Sequence, residues 1–292
     1  MKKTQKKGWY AVFTVAILIV IGALGALCWY LYGMYTSGKE YDGLTISVPS
    51  SSSAVPEKET DDKSSRSVIS EVSSTDTTDE ETKRKKKNNT SKKDEDVING
   101  NVNFSELWKI NTDVYAWIKV PNTNIDYPIL QTSGDDAFYL EHNMYKQYAF
   151  AGSVYTEKIN KKDFSDPNTL IYGHNLLNGT MFASLHNFRD PNFFANNEYF
   201  YIYLPDRTLT YQIFSAYEYD DRHIMYSFDF NDKDEFAEYL EYATNPTNSM
   251  TYNTRDISVT TDDKIVTLST CMDAIATSRY LVQGVLVSDE PI

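Results

Sequence analysis

The sequence predicts a mainly β domain, a closed barrel or a sandwich with few helices, set behind a membrane span and a polar stalk. Three observations lead there. Residues 9–35 carry no charge. The stretch between Tyr41 and Phe104 holds no aromatic residue. From residue 101 onward, short β-like runs alternate with turn signals, and 18 of the 23 tyrosines lie in this part.

The first element is the span. At about 1.5 Å per residue, the helix of 9–35 is long enough to cross a ~30 Å hydrocarbon core. Trp9, Tyr10, Trp29, Tyr30 and Tyr32 fall near its ends, where aromatic rings favour the lipid–water boundary. Lys2, Lys3, Lys6 and Lys7 precede it without an acid, so residues 1–8 are expected to form a cytoplasmic tail and the rest of the chain to lie outside. The apolar run exceeds the ~7–15 residues of a cleaved signal core, which favours an uncleaved anchor. Residues 36–100 are rich in Ser, Thr, Lys, Asp and Glu, with SSSS at 50–53 and KRKKK at 83–87. Such a composition cannot offset chain entropy by burial and predicts a disordered stalk. The basic run reads as solvated linker before it reads as a polymer-binding patch.

The domain is assigned to 101–292, enough for one core. Asn103 to Glu106 fits a capping box, and Phe104, Leu107 and Trp108 follow helical spacing, so a short helix opens it. Strands are expected at 115–120, 125–130, 152–156, 169–172, 198–204, 208–217, 257–260, 264–271 and 280–287. Pro121–Asn124 and Pro205–Arg207 supply turns. Helical inserts are expected at 181–186 and 232–242, the second presenting Phe236, Tyr239, Leu240 and Ala243 on one face.

Composition narrows function. With 12 Gly, 9 Pro and 2 Cys the chain is neither collagen nor a disulfide scaffold. A net charge of −13 argues against nucleic acid as a partner. The acidity belongs to the domain, where 13 Lys and Arg face 27 Asp and Glu. Cys28 lies in the span, so Cys271 is the one thiol of the domain. A lone thiol in an oxidising compartment is either buried or used. Cys271 closes the apolar run Ile265–Leu268, a position both rigid and accessible. A thiol nucleophile needs a proton-transfer partner, usually His. Of His142, His174, His186 and His223, only His174 also ends an apolar strand, Leu170-Ile171-Tyr172-Gly173. The other three read as surface or capping histidines. Arg279, just before the run 280–287, is placed to stabilise an oxyanion if it lies beside Cys271.

The segment Val266-Thr267-Leu268-Ser269-Thr270-Cys271, with Gly173-His174 upstream and Arg279 downstream, resembles the signature of the sortases, T-L-x-T-C with a preceding His and a following Arg. His before Cys sets it apart from papain-like hydrolases, and the S-H-G-C motif of L,D-transpeptidases is absent. Asn124-Ile125-Asp126-Tyr127-Pro128, Gly152-Ser153-Val154-Tyr155, Asn168–His174, Thr180-Met181-Phe182 and Tyr211–Tyr217 resemble class B in particular, as does a long helix near 232–242. No second apolar span follows Val287 and no D-P-W lid motif precedes the domain, unlike pilin-polymerising class C enzymes.

The resemblance implies a closed barrel of about eight strands, and a membrane-anchored cysteine transpeptidase on the outer face of a Gram-positive cell. Cys271 would attack a Thr carbonyl in the C-terminal sorting signal of a surface protein. His174 would move protons and Arg279 would steady the oxyanion, helped by backbone N–H groups near Met272. Ser269 and Thr270 would line the groove. Asp273 would orient His174 or Arg279, or simply cap its loop. An amine of peptidoglycan would accept the acyl group. No metal or organic cofactor is implied. Two other readings stand beside this one: a pilus assembler using a protein lysine as acceptor, and a surface binding module whose Cys271 is inert.

Overall fold

The computed structural model describes residues 2–37, 98–247, 249–272 and 277–292. The expected stalk, with Lys83–Lys87, falls mostly at 38–97, outside the described residues, as does Asp273. Helix α1 (Lys2–Ser37) contains Val12–Gly33, long and apolar enough to cross a membrane and compatible with a single-pass anchor.

The domain opens with β1 (Ile98–Asn99) and β2 (Val102–Asn103), a short antiparallel pair. Helix α2 (Phe104–Ile110) follows, capped by the Asn103 side chain, which accepts from the Glu106 amide at 3.1 Å. The Glu106 carboxylate pairs with Lys109 at 2.5 Å. Then come β3 (Val114–Lys119), β4 (Asp126–Leu130), β5 (Val154–Tyr155) and β6 (Asn168–Tyr172). A 3₁₀ segment (Ala183–Arg189) and α3 (Pro191–Asn196) lead to β7 (Tyr199–Tyr203) and the long β8 (Arg207–Asp220). Helices α4 (Ile224–Ser227) and α5 (Lys233–Thr244) precede β9 (Tyr252–Thr254), β10 (Ile265–Cys271) and β11 (Ser278–Pro291).

The strands run in the order β11-β10-β6-β5-β4-β3-β7-β8, and β8 pairs back with β11 along most of its length. Eight strands therefore close a barrel, and β9 adds to β8 outside the ring. Closure removes the unpaired edges that an open sheet of this size would expose. The Pro121–Asn124 turn is real: Asn122 sits at φ 59° and the Val120 amide donates to Ile125 at 2.9 Å. Two sequence expectations change. The segment 257–260 forms no strand; β9 lies upstream of it, while Ile257 and Val259 pack as side chains on an apolar cluster. The insert expected at 181–186 is a 3₁₀ segment starting at Ala183, because Met181 takes a left-handed φ of 53° that a helix cannot continue through.

The core has two layers. Inside the barrel lie Ile118, Ile129, Phe200, Ile202, Val266, Leu268, Tyr280 and Val282. Outside it, α5 lays Phe236, Tyr239, Leu240 and Ala243 over Phe214, Tyr217, Ile265, Leu281 and Val285. Strands β10 and β11 are thus covered on both faces, which is why they read as continuous apolar runs and not as alternation. One polar group is buried under α5. Gln283 donates to Tyr239 Oη (2.6 Å) and Thr267 Oγ1 (2.8 Å) and accepts from Tyr217 Oη (3.1 Å), and Thr267 donates on to Asn168.

That amide should be worth more than any one of its partners. Gln283→Leu strips a bond from three buried hydroxyls and is expected to cost about 1–3 kcal/mol; Tyr217→Phe removes one bond and about 0.5–1.5 kcal/mol. Urea unfolding of the two variants checks this, and equal losses would contradict it.

Candidate active site

The site is built at one end of β10. This strand runs parallel to β6 and antiparallel to β11. On the β11 side the register sets Cys271 directly opposite Arg279. The Met272 amide donates to the Ser278 carbonyl at 3.0 Å, which makes 272 and 278 a hydrogen-bonded pair. The neighbouring pair, 271 and 279, is then of the non-bonded kind, whose side chains approach more closely on one face. Cys271 and Arg279 thereby lie on the same face of neighbouring strands, with Arg279 Nη1 donating to the Ser278 carbonyl at 3.3 Å. Arg279 is also paired across to Tyr219 of β8, which fixes its strand from the other edge.

On the β6 side, Ser269 pairs with Tyr172. Counting two residues on along each strand places His174 level with Cys271. The chain is pinned there by Gly173 N–H to the Ser269 carbonyl (3.1 Å) and by Thr270 Oγ1 to the Gly173 carbonyl (2.8 Å). Gly173 is required for space: a Cβ at this position would lie 2.5 Å from the Phe182 ring. His174 Nε2 donates to the Leu140 carbonyl at 2.7 Å. A carbonyl only accepts, so that bond assigns the proton to Nε2 and leaves Nδ1 as the basic nitrogen.

The three residues of the sequence signature therefore converge on one strand end. The accessory residues fare differently. Ser269 and Thr270 are buried, and the Thr270 hydroxyl is committed to the Gly173 carbonyl, so both help to hold the strand. Met272 is half-buried against the barrel core, and its amide is already bonded to Ser278, which removes it as an oxyanion donor in this conformation. Asp273 lies outside the described residues. Tyr155 and Tyr172 stack nearby with ring centroids 5.3 Å apart. Burial pushes both phenols well up, Glu157 adds to the effect, and Arg279 pulls the other way. They remain neutral hydroxyls at any physiological pH.

Two further side chains reach the cysteine. Asn175 Nδ2 and His186 Nε2 both lie 3.1 Å from the Cys271 carbonyl oxygen. The sequence offered no reason to single out His186, which sits 85 positions away in a 3₁₀ segment. Asn175 was visible only as the residue after His174. Burial holds His186 below the usual imidazole range, opposed by its bond to the Cys271 carbonyl and aided by Arg189. The other two histidines are engaged elsewhere: His142 stacks on Phe138 at 4.0 Å, and His223 bonds Glu157 at 2.7 Å. Among the described residues no group of His, Cys, Asp and Glu is arranged to hold a metal.

The chain is similar to known proteins over most of the domain. A family model for the sortase domain matches residues 118–287. Sortase B of Listeria monocytogenes is 33% identical over 195 residues, covering 65% of this chain and 77% of that protein. Sortase B of Staphylococcus aureus is 29% identical over 188 residues, covering 63% and 74%. Among solved structures, Clostridium perfringens sortase B superposes with a TM-score of 0.57 at 34% identity, covering 63% of this chain and 100% of that one. A Staphylococcus aureus sortase B–substrate complex gives 0.56 at 28% identity, covering 63% and 84%.

The close approach at Gly173 gives a direct test of the strand-end geometry. Gly173→Ala should lower stability by about 1–3 kcal/mol through overpacking against Phe182, a loss of several degrees in melting temperature for a domain of this size. Gly134→Ala, whose Cβ would meet Thr132 Oγ1 at 3.4 Å, should leave it unchanged. Thermal unfolding of both variants decides; an unaltered Gly173→Ala would contradict the packing.

Proposed function

The chain belongs to the sortase family of cysteine transpeptidases, in class B, and from that premise we propose that it joins exported surface proteins to a cell-wall amine. The observation that carries the proposal is the register of β10, with Cys271 opposite Arg279 on one edge and, on the other, Ser269 paired with Tyr172, two residues before His174.

In the first half-reaction, the Cys271 thiol gives its proton to His174 Nδ1 as its sulfur attacks the carbonyl carbon of a Thr in the sorting signal. A C–S bond forms, the carbonyl oxygen takes up negative charge, and the Arg279 guanidinium stabilises it. The peptide C–N bond then breaks, and the departing amine takes a proton from His174. The product is a thioester between Cys271 and the Thr carbonyl. In the second half-reaction, an amine of peptidoglycan attacks that thioester and loses a proton to His174, and as the C–S bond breaks His174 passes that proton to the sulfur, which restores the thiol. One imidazole thus acts as acid toward the leaving amine and as base toward the incoming one. The Leu140 carbonyl, by holding Nε2–H, would keep Nδ1 turned to that task. With the Met272 amide already bonded, Arg279 carries more of the oxyanion than a backbone pair would.

The apolar helix supports a single-pass anchor with the N-terminus inside and the domain outside, so that enzyme, sorting signal and wall precursor meet at the outer membrane face. The polar segment 36–100 would act as a disordered spacer between the anchor and a catalytic domain at 101–292.

Two measurements test this reading. Full-length protein in detergent, given a pool of quenched-fluorescent peptides with a central Thr–Gly bond, should cleave it. His174→Ala should abolish the signal. Arg279→Ala should lower it by about 10²–10³, the loss typical of one oxyanion donor, and Arg279→Lys should lose less because the charge remains. All three should melt within a few degrees of wild type. Near-normal cleavage by Arg279→Ala would remove that residue from the mechanism. Separately, protease added to intact protoplasts should remove the domain; full protection would overturn the topology.

A further inference from the structure

We propose that His186 is a positioning residue for the nucleophile, acting with Asn175 through the main-chain carbonyl of Cys271; the proposal rests on Cys271 being the nucleophile. The argument begins with the alternation of β10. Its even-numbered residues bond to β11, as the Lys264 carbonyl does with the Leu286 amide and the Met272 amide with Ser278. Its odd-numbered residues face β6: the Ile265 amide donates to Pro167, and the Ser269 carbonyl accepts from Gly173. Cys271 is the next odd residue, so its carbonyl also points to the β6 side. If the parallel ladder continued, that carbonyl would accept from the Asn175 amide. The ladder stops instead. The backbone of Asn175 turns away to bridge Met181, and its side chain takes the place of its own N–H.

His186 supplies the second donor from a different element, 3.1 Å from the same oxygen. Its ring lies against Tyr280, with centroids 5.1 Å apart and planes 29° apart. Tyr280 is fully buried in the barrel, so the imidazole rests on a fixed surface. The acceptor is a carbonyl, which assigns the His186 proton to Nε2. The Cys271–Met272 peptide is consequently held at both ends, its C=O by Asn175 and His186 and its N–H by the Ser278 carbonyl. A peptide plane fixed at both ends fixes ψ of Cys271, and with it the direction of the thiol at a strand end that β6 no longer supports. Asn175 directly follows His174, so the same contact ties the backbone of the proton carrier to that of the nucleophile.

The role is one of alignment, and alignment acts on the rate of acylation more than on substrate capture. The test uses full-length protein in detergent and the strongest substrate from the Thr–Gly peptide pool. His186→Ala should lower kcat by roughly 3- to 10-fold, the factor equivalent to one net hydrogen bond, with KM changed less than about twofold. Gln carries an N–H of similar reach, so His186→Gln should recover most of that loss. Because each donor holds the carbonyl in part when the other is gone, the double variant His186→Ala/Asn175→Ala should lose more than the product of the single losses. A kcat for His186→Ala within twofold of wild type overturns the proposal, and so does a Gln variant no better than Ala. If His186→Ala fails to fold by thermal unfolding, the folded Gln variant decides alone: near-wild-type kcat supports positioning, and a tenfold loss overturns it. Cys271→Ala separates the two claims. If it still cleaves, the assignment of the nucleophile fails; if it is inactive while His186→Ala is unimpaired, only the positioning role fails.

Discussion

Strand β10 is hydrogen-bonded along both edges, parallel to β6 and antiparallel to β11, and its two faces are buried, one in the barrel and one under α5. Its register cannot slip by one residue without turning Val266 and Leu268 out of the barrel and Ile265 into it. That constraint sets the position of everything at the site. His174 and Cys271 are 97 residues apart in sequence, and Cys271 and Arg279 lie on different strands. They become neighbours only because one strand is shared. The polar group under α5 reinforces it: Gln283 of β11, Thr267 of β10 and Asn168 of β6 form a bonded row across all three strands.

The strand ends where the chemistry begins. Beyond Ser269 the parallel ladder to β6 is carried by one more main-chain bond and then by side chains: Thr270 to the Gly173 carbonyl, and Asn175 and His186 to the Cys271 carbonyl. This gives Cys271, the proposed nucleophile, an opening on the β6 side without releasing its backbone. A buried, fully paired strand would hold the thiol but hide it, and a loop would expose it without holding it. Gly173 belongs to the same arrangement, since only the absence of a side chain lets the Phe182 ring pass beneath the segment that carries His174.

Much of this was legible in the sequence, for identifiable reasons. β10 and β11 announce themselves as unbroken apolar runs because both their faces are covered, and α5 shows its apolar stripe because it covers one of them. Cys271, His174 and Arg279 stand out as chemically unusual groups at the ends of such runs. What was hidden depends on contacts between distant segments. His186 looked like a polar residue on a short helix; nothing local says that its Nε2 meets a carbonyl 85 residues away. Ser269 and Thr270 precede the cysteine on opposite faces of the strand, and both are buried because both faces are covered. The 257–260 segment has β-forming residues but pairs with no strand, and Ile257 and Val259 pack on the cluster under α5.

The account stands on Cys271 forming a covalent acyl intermediate, and that species can be weighed. Full-length protein is mixed with the Thr–Gly peptide pool in the absence of an acceptor amine, quenched in acid, and measured by intact and peptide-mapping mass spectrometry. The account predicts an adduct equal to the peptide through its Thr, located on the fragment containing Cys271 and discharged by hydroxylamine as a thioester is. Cleavage of the pool with no adduct at Cys271, or with the acyl group on another residue, would contradict it.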